Sequence, residues 1–203
     1  MATSTLSNHF KFQMLSGNMD FSANVYKVIL MGSAFAFDID VHATLADTQF
    51  DTWILSTGYI LDDVVVPTVP NGHKYICTTA GTSHTSEPTW PTTPSGTVGD
   101  GTVVWTEDGE DNQLPTGGGY TQNDKVLANV SVAEDDVNDR GRVTWDDVQW
   151  DASGDTIGPT GSALLYDDTS ADKTIVGCMD FIIDYTVTDG NSLQLQNIAL
   201  NSN

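Results

Sequence analysis

Apolar and polar positions alternate with a period of two along most of this chain. Asn24–Met31 (NVYKVILM), Gly141–Trp150 (GRVTWDDVQW), Ser162–Asp168 (SALLYDD), Lys173–Ile183 (KTIVGCMDFII) and Ser192–Leu200 (SLQLQNIAL) all carry the pattern and are rich in β-branched and aromatic residues. Such runs predict strands. Turn chemistry separates them: DDTSADK between Tyr166 and Thr174 predicts a hairpin loop, DASGD follows Trp150, and VTDGN carries the Asp189-Gly190 pair suited to positive φ. Lys125–Glu134 is expected to add a further strand. Helix is scarce. Phe10, Met14 and Leu15 stand at helical spacing between a cap at Asn8 and a stop at Gly17, and HATLAD adds at most one turn. The pattern predicts a mainly β fold, an antiparallel β-sandwich or flattened barrel with a short N-terminal helix or arm.

The alternation is interrupted by a stretch of different texture. From about Gln49 to Asn112 the chain is dense in Gly, Pro, Thr and Trp, as in NGHKYICTTAGTSHTSEPTWPTTPSGTVGDGTVVWTEDG (Asn71–Gly109), and ordinary strand pattern resumes after NQLPTGGGYTQND. The expected organisation is a discontinuous β host domain, residues 1–48 and 113–203, with a small β module inserted at 49–112 and projecting outward. Its two ends must lie close together to leave the host sheet intact.

Charge narrows the function. Twenty-eight acids against seven bases give a net charge of −21, and the acids are spread along the whole chain, nine of them with a single base in 49–112. Nucleic-acid binding replaces counterions with Lys and Arg, which are too few here, so no nucleic-acid partner is expected. Uniform acidity keeps a protein soluble and self-repelling. No run of about eighteen apolar residues exists to span a bilayer, so no membrane partner is expected. The polar, uncharged stretch Met1–Asn8 lacks the features of a secretion signal. Cys77 and Cys178 each sit in an apolar run without a ligand-spaced Cys or His, which predicts two buried free thiols.

No catalytic constellation stands out, and a non-enzyme without a cofactor is expected. His9, His42, His73 and His84 lie in separate contexts, and Ser83-His84 lacks the glycines of a nucleophile elbow. The paired aspartates at 62–63, 135–136, 146–147 and 167–168 point to opposite faces when extended, so they form no ready dyad. Asp136 and Asn138 open an oxygen series suited to calcium, but Arg140 takes the next ligand position and no Glu closes the loop, so a solvated turn is the alternative. Trp53 and Trp105 lie in alternating pattern and are expected in the core of the inserted module. Trp90, between Pro88 and Pro91, is the expected exposed ring; with Tyr75 it is the candidate contact for a glycan or an apolar partner.

Several segments carry a resemblance. NHFKFQMLSGNMDFSANVYKVILM, GGGYTQNDKVLANVSVAEDDVNDRGRVTWDDVQWDASGDTIGPTGSALLYDD and VGCMDFIIDYTVTDGNSLQLQNIAL together resemble a family of tailed-bacteriophage virion structural proteins often assigned as capsid decoration proteins. The likeness covers about Asn8–Asp47 and Leu114–Leu200, most distinctly in GYTQ, the Trp145 and Trp150 pair, and GPTGSALLYDD. The inserted segment is similar to a small β module that recurs in phage structural proteins, and to short chitin-binding modules, although Leu61 and Asp62 stand where the latter carry a glycine. The resemblance implies a decoration, or cement, protein on the capsid exterior, assembled in the host cytoplasm. It would bind the major capsid protein and form a homo-oligomer, with a trimer expected by analogy. Phe10, Phe12 and Met14 would belong to an N-terminal attachment arm spanning Met1–Phe21. The alternatives are a carbohydrate-binding or host-adhesion module on the virion, with the insert as its head, and a tail or neck structural protein.

Overall fold

The computed structural model describes residues Thr3–Ser202, and the chain divides into two compact units. One runs from Thr48 to Pro115; the other comprises the chain up to Asp47 and from Thr116 onward. Before the insertion come β1 (Thr3–Leu6), α1 (Asn8–Leu15) and β2 (Tyr26–Gly32). The inserted unit holds β3 (Asp51–Thr52), β4 (Gly58–Tyr59), β5 (Val64–Val66), β6 (His73–Thr79), β7 (Gly81–Thr82), β8 (Thr97–Asp100) and β9 (Val103–Glu110). The host unit resumes with β10 (Ser131–Asp135), β11 (Arg140–Thr144), β12 (Val148–Asp151), β13 (Ile157–Asp167), β14 (Ile175–Val187), β15 (Ser192–Leu195) and β16 (Ala199–Ser202). The protein is mainly β and sandwich-like.

The host unit is organised by an antiparallel sheet in the order β1-β14-β13-β2. The sheet is covered on both faces, and the chain at Lys125–Leu127 follows the outer edge of β2, so β2 is buried almost without interruption. Ile29, Met31, Leu164, Tyr166, Ile175 and Cys178 form one face, against which Phe35, Phe37 and Leu45 pack. Tyr26, Val28 and Leu30 alternate with these and are equally buried, and the Tyr26 ring lies 5.5 Å from that of Trp145. Burying each such aliphatic side chain is worth about 1.5–3 kcal/mol.

Gly141–Trp150 and Ser192–Leu200, each predicted as one strand, are each two. β11 pairs with β16 and β12 with β15, in a common register. The ladder is interrupted where Asp146 donates its N–H to the Ala128 carbonyl and Asn197 turns to φ 56°. The interruption is consistent with burying both Trp145 and Trp150. The predicted strand Lys125–Glu134 is shortened to β10. Its first part instead follows the edge of β2, with the Val28 N–H donating to the Lys125 carbonyl and the Leu127 N–H to that of Tyr26. Helix α1 is capped by Ser7, one residue before the expected Asn8, and Gly17 at φ 72° follows its end.

The inserted unit is a five-stranded sheet, β3-β5-β6-β9-β8, with the short pair β4-β7. Only β3 and β5 run parallel. Its ends are pinned to each other: the Gln49 side-chain amide donates to Gln113 at 3.1 Å, and that of Asn112 to the Thr48 carbonyl at 3.2 Å. A unit whose entry and exit lie side by side can occupy a loop of its host. Among the described residues no helix is long and apolar enough to cross a membrane.

Candidate partner-binding surfaces

The inserted unit builds its core from rings and carboxylates. Trp53, Tyr75 and Trp105 are buried with Val65, Cys77 and Val103. Asp100, at the end of β8, is also buried, and its carboxylate accepts from the indole N–H of Trp53 at 2.7 Å, from that of Trp105 at 3.0 Å, and from the His84 backbone N–H at 2.8 Å. One acid thus satisfies two indoles that strand alternation turns inward and a loop amide besides. Glu107 does similar work on β9. It accepts from the Ser95 and Gly109 N–H groups and pairs with His73 Nδ1 at 3.0 Å, contacts that hold its carboxyl below the ordinary range against the opposing effect of burial. These acids brace the fold with the bonds they accept.

Two of the expected contact residues are part of this core. Tyr75 is fully buried, its hydroxyl accepting from Asn71 and donating to the Pro91 carbonyl, so it offers no surface to a glycan. Trp90 is half-buried instead of projecting. Its ring lies 4.3 Å from Tyr75 and 6.0 Å from Trp105, and its indole donates to Glu87 at 2.8 Å. A small unit has few large side chains with which to fill itself, so even a ring between two prolines is drawn inward. The exposed large apolar side chains of the unit are aliphatic: Val69, and a group of four, Ile54, Leu55, Ile60 and Leu61, on a segment that the Tyr59 hydroxyl ties together through the Ile54 N–H. Sequence reasoning missed this patch because it falls outside any periodic run. Asp62, next to it, stands at φ 70°. Aspartate is among the few residues other than glycine that adopt this left-handed turn readily.

The N-terminal segment is not a free arm. β1 pairs with β14 from Thr3↔Asp180 to Leu6↔Gly177, and Phe10 is 1% exposed. Pairing and burial remove Phe10 from any attachment surface. Phe12, 60% exposed, and Met14, 38% exposed, keep accessible surface on α1. Met1 and Ala2 lie outside the described residues.

Asp136 and Asn138 lie on the β10–β11 turn, both exposed. The Asn138 amide donates to both carboxylate oxygens of Asp135, which also pairs with Arg140 at 2.9 Å. This network closes the turn around Asp135 and engages the Asn138 amide with a neighbour. Among the described residues no cluster of three or more His, Cys, Asp or Glu is placed to hold a metal ion. Cys77 and Cys178 are free, buried and in different units. Burial raises the thiol pKa of both, that of Cys178 to about 11, so neither is a ready nucleophile.

The distinctive residues of the family resemblance are structural. Trp145 and Trp150 are buried, Tyr120 accepts the Leu30 N–H on its hydroxyl at 3.1 Å, and Gly158–Asp168 spans β13 together with its end. No protein-family model, no curated protein and no solved structure matches this chain.

Proposed function

We propose that this chain is a non-enzymatic structural protein of a tailed-phage particle, a decoration protein bound to the outer face of the capsid. The observation that carries the reading is the sequence resemblance of the segments on both sides of the insertion. Their distinctive residues, Tyr120, Trp145, Trp150 and Gly158–Asp168, are the ones that build the host unit. The mechanism is burial of surface across junctions between capsid subunits, which ties neighbours together and stabilises the shell by mass action. A net charge of −21 fits the exterior, because packaged DNA would repel such a protein from the inner wall.

Within the inserted unit, a protein partner fits better than a sugar. Sugar platforms use exposed aromatic faces, whereas Tyr75 is buried, Trp90 is packed against it and the open side chains are aliphatic. The test is cryo-electron microscopy of particles encoded by the genome that carries this chain. Density of its size on the capsid exterior at local symmetry axes is expected. Density at the tail tip or fibres would overturn the decoration reading and favour adhesion.

A further inference from the structure

Seven cations among twenty-eight acids should all find partners, and most do. Lys27 and Lys173 pair with Asp168, Lys74 with Asp108 and Arg140 with Asp135, while Lys125 donates to the Gln149 carbonyl and lies over the Trp150 ring. Lys11 and Arg142 have no carboxylate at ion-pair distance among the described residues; Lys11 bonds only the neutral Asn8 side chain. Both are exposed, and both line the same groove in the host unit.

That groove holds about 350 Å³ between α1 and the β10-β11-β16 sheet, with apolar walls that include Leu6, Met14, Val132 and Leu200. Asn201, also in its wall, carries a buried amide oxygen without a donor among the described residues. The groove therefore presents apolar surface and two cations. A peptide segment with apolar side chains and flanking carboxylates complements the walls and both cations.

The same unit displays such a segment. Between the pairs Ser162↔Asp180 and Thr160↔Tyr185, β14 bulges, with only Gly161 opposite Phe181–Asp184. Ile182 is held at φ 71°, a conformation β-branched residues avoid, and Ile182 and Ile183 are 62% and 61% exposed between the exposed acids Asp180 and Asp184. Thr5 lines the cavity beside this bulge and Leu6 lines the groove. Successive strand residues face opposite ways, so knob and groove lie on opposite faces of the sheet and cannot meet within one copy.

We propose that the Lys11–Arg142 groove receives the Ile182–Ile183 bulge of a second copy of this chain, with Asp180 and Asp184 reaching Lys11 and Arg142. The contact is heterologous, joining two different surfaces, and so builds a ring where its rotation closes. It takes from the proposed function only the expectation of self-assembly, and its test requires no capsid.

The experiment is sedimentation equilibrium of the full chain over a concentration series, at low and high salt, for the native protein, Arg142→Glu, Asp184→Arg, the Arg142→Glu/Asp184→Arg pair and Ile183→Ser. Thermal unfolding of each variant verifies that it is folded. The native chain is expected to associate, more weakly in high salt. Each single charge reversal and Ile183→Ser weaken association by about tenfold or more, and the charge-swapped pair recovers most of the loss. A native chain that stays monomeric throughout overturns the proposal, as does association that all the folded variants retain. Either result leaves capsid binding as a separate question, answered by the particle density.

Discussion

The two units of this protein solve the same problem with different materials. The host unit has long strands, β13 and β14, and fills both faces of its sheet largely with aliphatic side chains. The inserted unit has short strands and fills its core with Trp53, Tyr75, Trp90 and Trp105, whose polar edges are matched by Asp100, Glu87, Asn71 and a backbone carbonyl. A small unit buries a lower fraction of its surface, so it needs large rings, and rings bring N–H and O–H groups that need partners. The acids that look like excess charge in the sequence are, at Asp100 and Glu87, the acceptors that such a core requires.

The sharpest way to break that comparison is Asp100→Ala. It leaves two indoles and one amide without their acceptor at about 1–3 kcal/mol each, so a loss of about 3 kcal/mol or more is expected, with collapse of the tryptophan near-UV dichroism. In the host unit the comparable changes are aliphatic and aromatic truncations. Phe10→Ala should cost about 3–5 kcal/mol and Leu164→Ala about 2–5 kcal/mol in denaturant unfolding, because both side chains are fully buried.

A pH-dependent difference comes next. Burial raises the Asp111 carboxyl in the inserted unit to about 6, above its ordinary value of 3.8. Between those values the folded state holds the extra proton, so this group's contribution to stability falls as pH rises from about 4 through 6. Asp111→Asn should therefore stabilise the protein at pH 7 by about 1–3 kcal/mol and give little gain near pH 4, as read from unfolding midpoints at the two pH values. Glu107 and Glu87 act in the opposite sense: their carboxyls lie below the usual range, so their contribution is lost as pH drops through that range. The smallest effect is expected at Phe12, whose replacement by Ala should change stability by about 0.5 kcal/mol or less, in contrast to Phe10 two residues earlier.

That contrast also marks how far the sequence could be read. Period-two alternation located the main strands of the host unit and the inward turn of Trp53 and Trp105, because alternation reports which face is buried. It could not tell Phe10 from Phe12 in a helix of eight residues, nor foresee that residues before Ser7 would pair as β1, since a polar edge strand carries little pattern. The paired breaks in the β11–β12 and β15–β16 ladders were hidden for another reason: each side of a break alternates and only the phase changes, the buried positions passing from Val143 and Trp145 to Val148 and Trp150. In the inserted unit, prolines around Trp90 signalled a loop but not the direction of the ring, which is set by contact with Tyr75 and Trp105. The Lys11–Arg142 groove joins residues 131 positions apart and has no local signal at all.

Hydrogen exchange by mass spectrometry on the full chain, comparing native protein with Asp100→Ala and Leu164→Ala, tests most directly the claim that each unit is held by its own core. Asp100→Ala should release protection in Thr48–Pro115 while β13 and β14 keep theirs, and Leu164→Ala should do the reverse. Loss of protection throughout the chain from either substitution would contradict it.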